Sequence, residues 1–252
     1  MAAAPVLPMP TPAPEPRLSE GARIVNTFVA PSKTFADLRR SASWWAPFLL
    51  LSVLSLGLFY VIDQKIGYRK VVQNQIDQSP RASQRMEQLP ADQREKAITQ
   101  QAKGTRYFLY GYPVIILLWN LMIAAILFGT FKLGAGADLK FKTAFAIVMY
   151  ASLPLALKSI LAMVSVGAGA DPDSFSLQNP VATNPGYFLT QSSSPFLYSI
   201  ATAVDVFMIW TLILTAIGFT FGKVKRSTAL AIVFGWYAVF ALGGAAVGAA
   251  FS

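Results

Sequence analysis

The chain has 252 residues, of which 54% are hydrophobic and 13% charged, with a formal net charge of +9; soluble domains carry about 25% charged residues. Cysteine and histidine are both absent. Their absence excludes disulfides, thiolate nucleophiles, Fe–S clusters, the usual zinc sites and Ser-His-Asp triads, and with them most enzyme classes.

Residues 1–18 open with "MAAAPVLPMPTPAPEP", six prolines in sixteen positions and no periodic apolar face. Such a segment stays extended and solvated, and without a basic start and an unbroken apolar run it is not expected to be a cleaved signal peptide. Residues 19–43 form an amphipathic entry. Ile24, Val25, Phe28 and Val29 share one side of a short helix, with Arg23 and Asn26 away from it, and after Pro31 a second apolar edge of Phe35 and Leu38 runs beside Lys33, Arg39 and Arg40. Two readings stand: a pair of interfacial helices on an anionic leaflet, ending in a Trp44–Trp45 belt, or helices packed on the protein's own loops.

The expected fold is an all-α membrane protein. Five continuously apolar runs, at about 44–62, 108–133, 143–166, 196–222 and 228–251, each reach the roughly 20 residues needed to cross about 30 Å of hydrocarbon. They lack the period of two of a transmembrane β-barrel. Lysine and arginine in the loops give the orientation. Five basic residues precede the first run, and three fall in each of the turns after the second and the fourth, which places the N-terminus in the cytoplasm and the C-terminus outside. The polar loop 63–107 dissents with nine basic residues against five acids, although long loops constrain topology less than short ones. Its charges read as a solvated, partly helical surface, and the net positive charge as leaflet electrostatics with no nucleic-acid partner.

Two charges lie inside the apolar runs. Lys158 sits eight residues before the outer end of the third, and Asp205 nine residues into the fourth, so at about 1.5 Å per residue they reach similar depths, roughly 12 and 13 Å, from one face. Intramembrane charges face the bundle and find partners, and Asn120 near the middle of the second run is a neutral candidate for the same cluster. Three readings remain open: an ion pair that fixes helix register, a polar site for an ion, proton or lipid headgroup, or a lysine that snorkels to the outer headgroups. Pro154, one turn before Lys158, should kink the third run and free the carbonyl of Tyr150. Gly244 and Gly248 form a GxxxG pair that seats a helix of the same chain or leaves room for a homo-oligomer. No phosphate-cradling, dinucleotide or HExxH motif occurs. Asp171 and Asp173 do not continue as a calcium loop, and neither a metal nor a cofactor is expected.

Several ordered blocks, "FVAPSKTFADLRR", "WWAPFLLL", "YASLPLAL", "LQNPVATNPGYFL" and "DVFMIWTLILTAIGFTFGKVKRSTALAIVFGWY", together resemble the bacterial branch of the Yip1 family. The resemblance implies a five-span helical domain with a cytoplasmic N-terminus, in the bacterial inner membrane, and brings no catalytic residues with it. In eukaryotes that family is linked to vesicle trafficking and Rab-type GTPases; the proline-rich tail here shows no partner-binding motif matching that role. The expected protein is therefore non-catalytic, embedded in the lipid bilayer, with a protein partner on its cytoplasmic side. The competing expectation is a small transporter or channel using Asn120, Lys158 and Asp205.

Overall fold

A computed structural model describes residues 16–189 and 194–251, so most of the proline-rich tail lies outside the described residues. The described chain is all-helical. Two short helices, α1 (Glu20–Val29) and α2 (Pro31–Arg40), lead into α3 (Trp45–Lys65), the first helix long and apolar enough to span a membrane. Three helices fill most of the polar loop: α4 (Tyr68–Gln78), α5 (Pro80–Glu87) and α6 (Ala91–Tyr110). The second candidate span, α7 (Tyr112–Gly134), therefore starts at Tyr112, after a break at Gly111, and Phe108 belongs to α6.

The third candidate span runs over Phe141–Gly167 and is interrupted at Ser152 and Leu153 into α8 (Phe141–Ala151) and α9 (Pro154–Gly167). Pro154 has no N–H to donate, and the chain tightens into i+3 bonds around it. The Leu153 N–H donates to the Tyr150 carbonyl at 3.1 Å, and the Leu155 N–H to the Ser152 carbonyl at 3.0 Å. The carbonyl that proline would have orphaned is thus satisfied by the backbone.

The fourth run differs from the continuous span expected over 196–222. It is a pair of helices, α10 (Pro195–Ala203) and α11 (Val206–Thr220), bent by 52° at the break. The cause is Asp205, whose extended backbone (φ −97°, ψ 134°) and carboxylate make it the N-cap of α11, a role that aspartate favours strongly. The last candidate span is α12 (Arg226–Phe251). Among the described residues, four helical stretches, α3, α7, α8–α9 and α12, meet the length and apolarity of a span, and the bent pair makes a fifth when counted as one.

The core is centred on α8, where every residue from Thr143 to Ala151 is buried. A helix that is apolar all round belongs in the middle of a bundle. Around it pack Phe35 and Leu38 of α2, Phe131 of α7, and Leu214 and Phe219 of α11, with Phe131 stacked on Phe219 at 4.2 Å between ring centroids. A second cluster joins the far end of α3 to α4 and to the loop before α10, through Phe59, Ile62, Tyr68, Val71, Phe175 and Val181. Burial pushes the Tyr68 phenol up from its usual range, and its hydroxyl donates to the Phe59 carbonyl at 2.9 Å.

The amphipathic entry is folded onto the bundle. Val25 and Val29, expected on the buried side, are 60% and 73% exposed, whereas Arg23, Thr27, Thr34 and Asp37 are buried with Phe35 and Leu38. The two helices pack on each other and on α3, α8 and α11. Trp44 packs edge-on to Phe48 and tilted against Phe145, while Trp45 stays half exposed.

Close approach to α8 explains one glycine. A Cβ at Gly218 would stand 2.3 Å from Ile147 Cγ2 and 3.2 Å from Phe35 Cδ1. Gly218→Ala is expected to destabilise the bundle by about 1–3 kcal/mol, read as a lowered melting temperature in detergent, whereas Gly235→Ala on the open face of α12 should leave it unchanged or raised.

Candidate functional site

Three polar groups sit inside this apolar frame. At the α10–α11 break, Asp205 is 3% exposed and both its carboxylate oxygens are taken. Oδ1 accepts the N–H groups of Phe207 (3.0 Å) and Met208 (3.2 Å), the capping bonds of α11. Oδ2 accepts from Lys158 Nζ at 2.8 Å, Thr183 Oγ1 at 2.5 Å and Asn184 Nδ2 at 3.4 Å. Lys158 and Asp205 are therefore in contact, with the lysine reaching across from α9.

The loop 168–189 is woven into the same cluster. The Val206 N–H donates to the Thr183 carbonyl at 3.1 Å, and the side-chain amides of Asn179 and Asn184 pair with each other. Asn184 also caps the short 3-10 turn Pro185–Phe188, whose Gly186 lies so close to α10 that a Cβ would meet Thr202 Oγ1 at 2.3 Å. The Tyr237 hydroxyl of α12 donates to the Ala203 carbonyl at 2.6 Å, just before the break. One carboxylate thus ties together α9, α11 and the loop, and backbone bonds beside it bring in α12.

Asn120 belongs to a different group. Its Nδ2 donates to the Ile116 carbonyl at 2.8 Å and its Oδ1 accepts from Ser152 Oγ at 3.0 Å. Its partners are thus on α7 and at the α8–α9 break, apart from the Lys158–Asp205 pair. The expected three-residue cluster resolves into an ion pair and a separate amide–hydroxyl contact.

The third group joins α1 and α2 to the last turn of α8. Arg23 is 2% exposed and forks onto Asp37, with Nε 2.8 Å and Nη2 2.7 Å from Oδ2, while Nη1 reaches Glu20 Oε1 at 3.2 Å. The other Glu20 oxygen accepts from the Tyr150 hydroxyl at 2.5 Å, linking α1 to the last turn of α8. The Arg23 carbonyl accepts from Thr27 and Thr34. Burial alone would lower the Arg23 pKa; the hydrogen bond and charge of Asp37, with Glu20, outweigh it and raise it. Sequence reasoning placed Arg23 on the solvent side and passed over Glu20, Asp37 and Tyr150. The signal was present, since Glu20, Arg23 and Thr27 recur at i, i+3 and i+7, as regular a stripe as the apolar one.

The remaining expected positions are dispersed. Arg39 lies 3.9 Å from Asp138, which also meets Lys223 at 3.0 Å, and the Lys223 ammonium holds the exposed Asp138 carboxyl below its usual range. Gly244 is exposed, with open space around it, and Gly248 faces Ser199 of α10. Ala245, between them, is the buried position, so the helix seat does not use Gly244. Among the described residues, no group of three or more Asp or Glu side chains is placed to hold a metal ion.

An all-helical bundle with four or five spans and satisfied charges inside it defines a multi-span integral membrane protein. The Yip1 domain model matches residues 25–248, and the chain belongs to the Yip1 family, whose members are in general non-catalytic membrane proteins. No curated protein and no solved structure matches it.

Removing one partner from a buried ion pair is far more destabilising than replacing the whole pair with apolar groups. Arg23→Met is expected to cost about 3–5 kcal/mol by leaving Asp37 uncompensated. The double variant Arg23→Met, Asp37→Leu should recover most of that loss in thermal melts.

Proposed function

We propose that this chain acts as a membrane-organising or trafficking-type adaptor, with its N-terminus in the cytoplasm, its C-terminus outside, and the bacterial inner membrane as its home. The observation that carries the reading is the α1–α2 cap. The buried Arg23–Asp37 pair holds its two helices together and the Tyr150 hydroxyl on Glu20 ties them to α8, while Val25 and Val29 stand outward on the same unit as Lys33, Arg39 and Arg40. A rigid platform with an apolar edge and a basic surface suits a protein partner or the headgroups of the inner leaflet.

The test is to purify the protein with its surrounding lipid, cross-link from Val25 and Val29, and identify the attached molecules by mass spectrometry. A defined protein attached at these positions and lost from a Val25→Ser, Val29→Ser variant of unchanged stability supports the adaptor. Attachment of lipid alone counts against a docked partner.

The Lys158–Asp205 pair is assigned a structural role. Its carboxylate has five donors already, which leaves little to offer a transported ion, and the competing transporter reading depends on that site. Asp205→Asn retains a cap but loses the charge, and is expected to cost about 2–4 kcal/mol. Asp205→Ala adds about 1 kcal/mol for the lost cap. Exchanging the two charges should not restore stability, because a lysine at position 205 cannot accept the Phe207 and Met208 N–H groups. Loss of a flux in liposomes with unchanged melting of Asp205→Asn would instead support transport.

A further inference from the structure

Two turns at one end of the bundle repeat a pattern. Lys140 and Lys142 lead into "TAFAIV" near the start of α8, and Lys225 and Arg226 lead into "TALAIV" near the start of α12. Each turn closes a packed helical hairpin, α7 with α8 and α11 with α12. The fold sets the two turns side by side. The Asp138 N–H donates to the Gly222 carbonyl at 2.9 Å, and a Cβ at Gly222 would stand 2.9 Å from the Leu139 side chain. Lys140 and Lys225 are two and three residues from that bond, so the two basic pairs are neighbours.

Charge at this face is one-sided. Lys132, Lys140, Lys142, Lys225 and Arg226 are exposed, and none has an acid within ion-pair distance among the described residues; the one carboxylate of the two turns, Asp138, is shared by Arg39 and Lys223. The region from α4 to α6 is also rich in bases but is balanced locally, with Arg69 on Glu95, Lys96 3.8 Å from Asp92 and Arg106 3.2 Å from Asp63. Unmatched positive charge on a surface draws anions to it.

Position selects the anion. Lys132 is in the last turn of α7, Lys142 is in the first turn of α8 and Arg226 opens α12, all at ends of candidate spans, so these groups stand at headgroup depth. Apolar side chains are exposed among them. Leu133, next to Lys132, is 89% exposed, and Phe141, between Lys140 and Lys142, is 38% exposed and packs edge-on against Phe128 of α7. A soluble anion would leave both in water, whereas a phospholipid brings phosphate to the bases and acyl chains to Leu133 and Phe141. Two adjoining basic turns offer places for two phosphates. A headgroup that carries both engages the second turn at the effective concentration set by the first.

We propose that the paired turns bind one phospholipid whose headgroup joins two phosphates, one on Lys140 and Lys142 and the other on Lys225 and Arg226. The inference does not rest on the adaptor reading. It needs neither a docked protein nor Val25 and Val29, and it holds whichever leaflet this face meets.

The test adds tetraoleoyl cardiolipin, with two phosphates, or dioleoyl phosphatidylglycerol, with one, to the protein in a neutral detergent and counts bound lipid by native mass spectrometry. Compared at equal phosphate, cardiolipin is expected to half-saturate at a concentration about tenfold lower or less, as a single molecule per chain, and its advantage should shrink as salt is raised. Lys140→Gln with Lys142→Gln, or Lys225→Gln with Arg226→Gln, should each bring cardiolipin to the level of phosphatidylglycerol. Arg85→Gln with Lys103→Gln, an equal loss of exposed charge on α5 and α6, should leave the advantage intact.

Half-saturation of the two lipids at the same phosphate concentration overturns the proposal, as does an advantage that survives either turn variant or disappears in the α5–α6 control. The headgroup without chains, bis(glycerophospho)glycerol, is expected to displace cardiolipin only at far higher concentration; equal potency would assign the turns to a soluble bisphosphate and overturn the lipid. All the substituted side chains are exposed, so melting temperatures should match the wild type. Should one turn variant fail to fold, the other variant and the two-lipid comparison decide.

Discussion

Everything at one end of this bundle depends on how a carboxylate is kept in an apolar place. Asp205 is held by five donors from four directions: an ammonium, a hydroxyl, an amide and two backbone N–H groups. A charge left bare in such surroundings is costly enough to neutralise itself or move. Here it is made tolerable by becoming the start of a helix, where the positive end of the α11 dipole adds to the lysine. The 52° bend follows from the same demand. To cap α11, Asp205 must leave helical backbone geometry, and a straight fourth span is thereby ruled out.

The entry helices are organised by a cation. Arg23 is enclosed between Asp37 and Glu20, and Glu20 in turn receives the Tyr150 hydroxyl. The two groups use the same device with reversed sign: one fully buried charge, at least one counter-charge, and hydroxyls that complete the coordination. The apolar column of α8 leads up to them, so the polar contacts gather at Tyr150 in its last turn, at the break at Ser152, and beyond it on α9. The arginine fork suits its place better than a lysine would, because a planar guanidinium can serve Asp37 and Glu20 at once.

Much of this was legible in the sequence. Long apolar runs give spans because their length is matched to hydrocarbon, and equal counting from two span ends brought Lys158 and Asp205 to one depth. Counting assumed that the helix through Asp205 was continuous, however, and it missed the cap because an aspartate inside an apolar run reads first as a charge. Asn120 was drawn toward the pair by depth alone. Depth fixes one coordinate, whereas the face of α7 on which Asn120 sits points it at Ser152. The buried side of α1 is turned by about one residue from its apolar stripe: Ile24 and Phe28 pack against the core, but Arg23 and Thr27 are buried where Val25 and Val29 are exposed. The stripe of Glu20, Arg23 and Thr27 is visible in the sequence, whereas its partners Asp37 and Tyr150 lie on other helices, and no local period points to them.

The order of the chain gives the Lys158–Asp205 contact a history. The two residues are 47 positions apart, so at about 5–20 residues per second a ribosome makes the lysine roughly 2–10 s before its counter-ion. Arg23 waits about a third as long, because Asp37 follows it by only 14 positions. During that interval the third span carries an unpaired ammonium, which can be accommodated only near headgroups or water. An unpaired Lys158 favours a place for its helix nearer one surface, whereas the pair with Asp205 favours the depth it has in the folded bundle. The preferred depth of one helix is thereby set by a residue not yet synthesised when that helix is made.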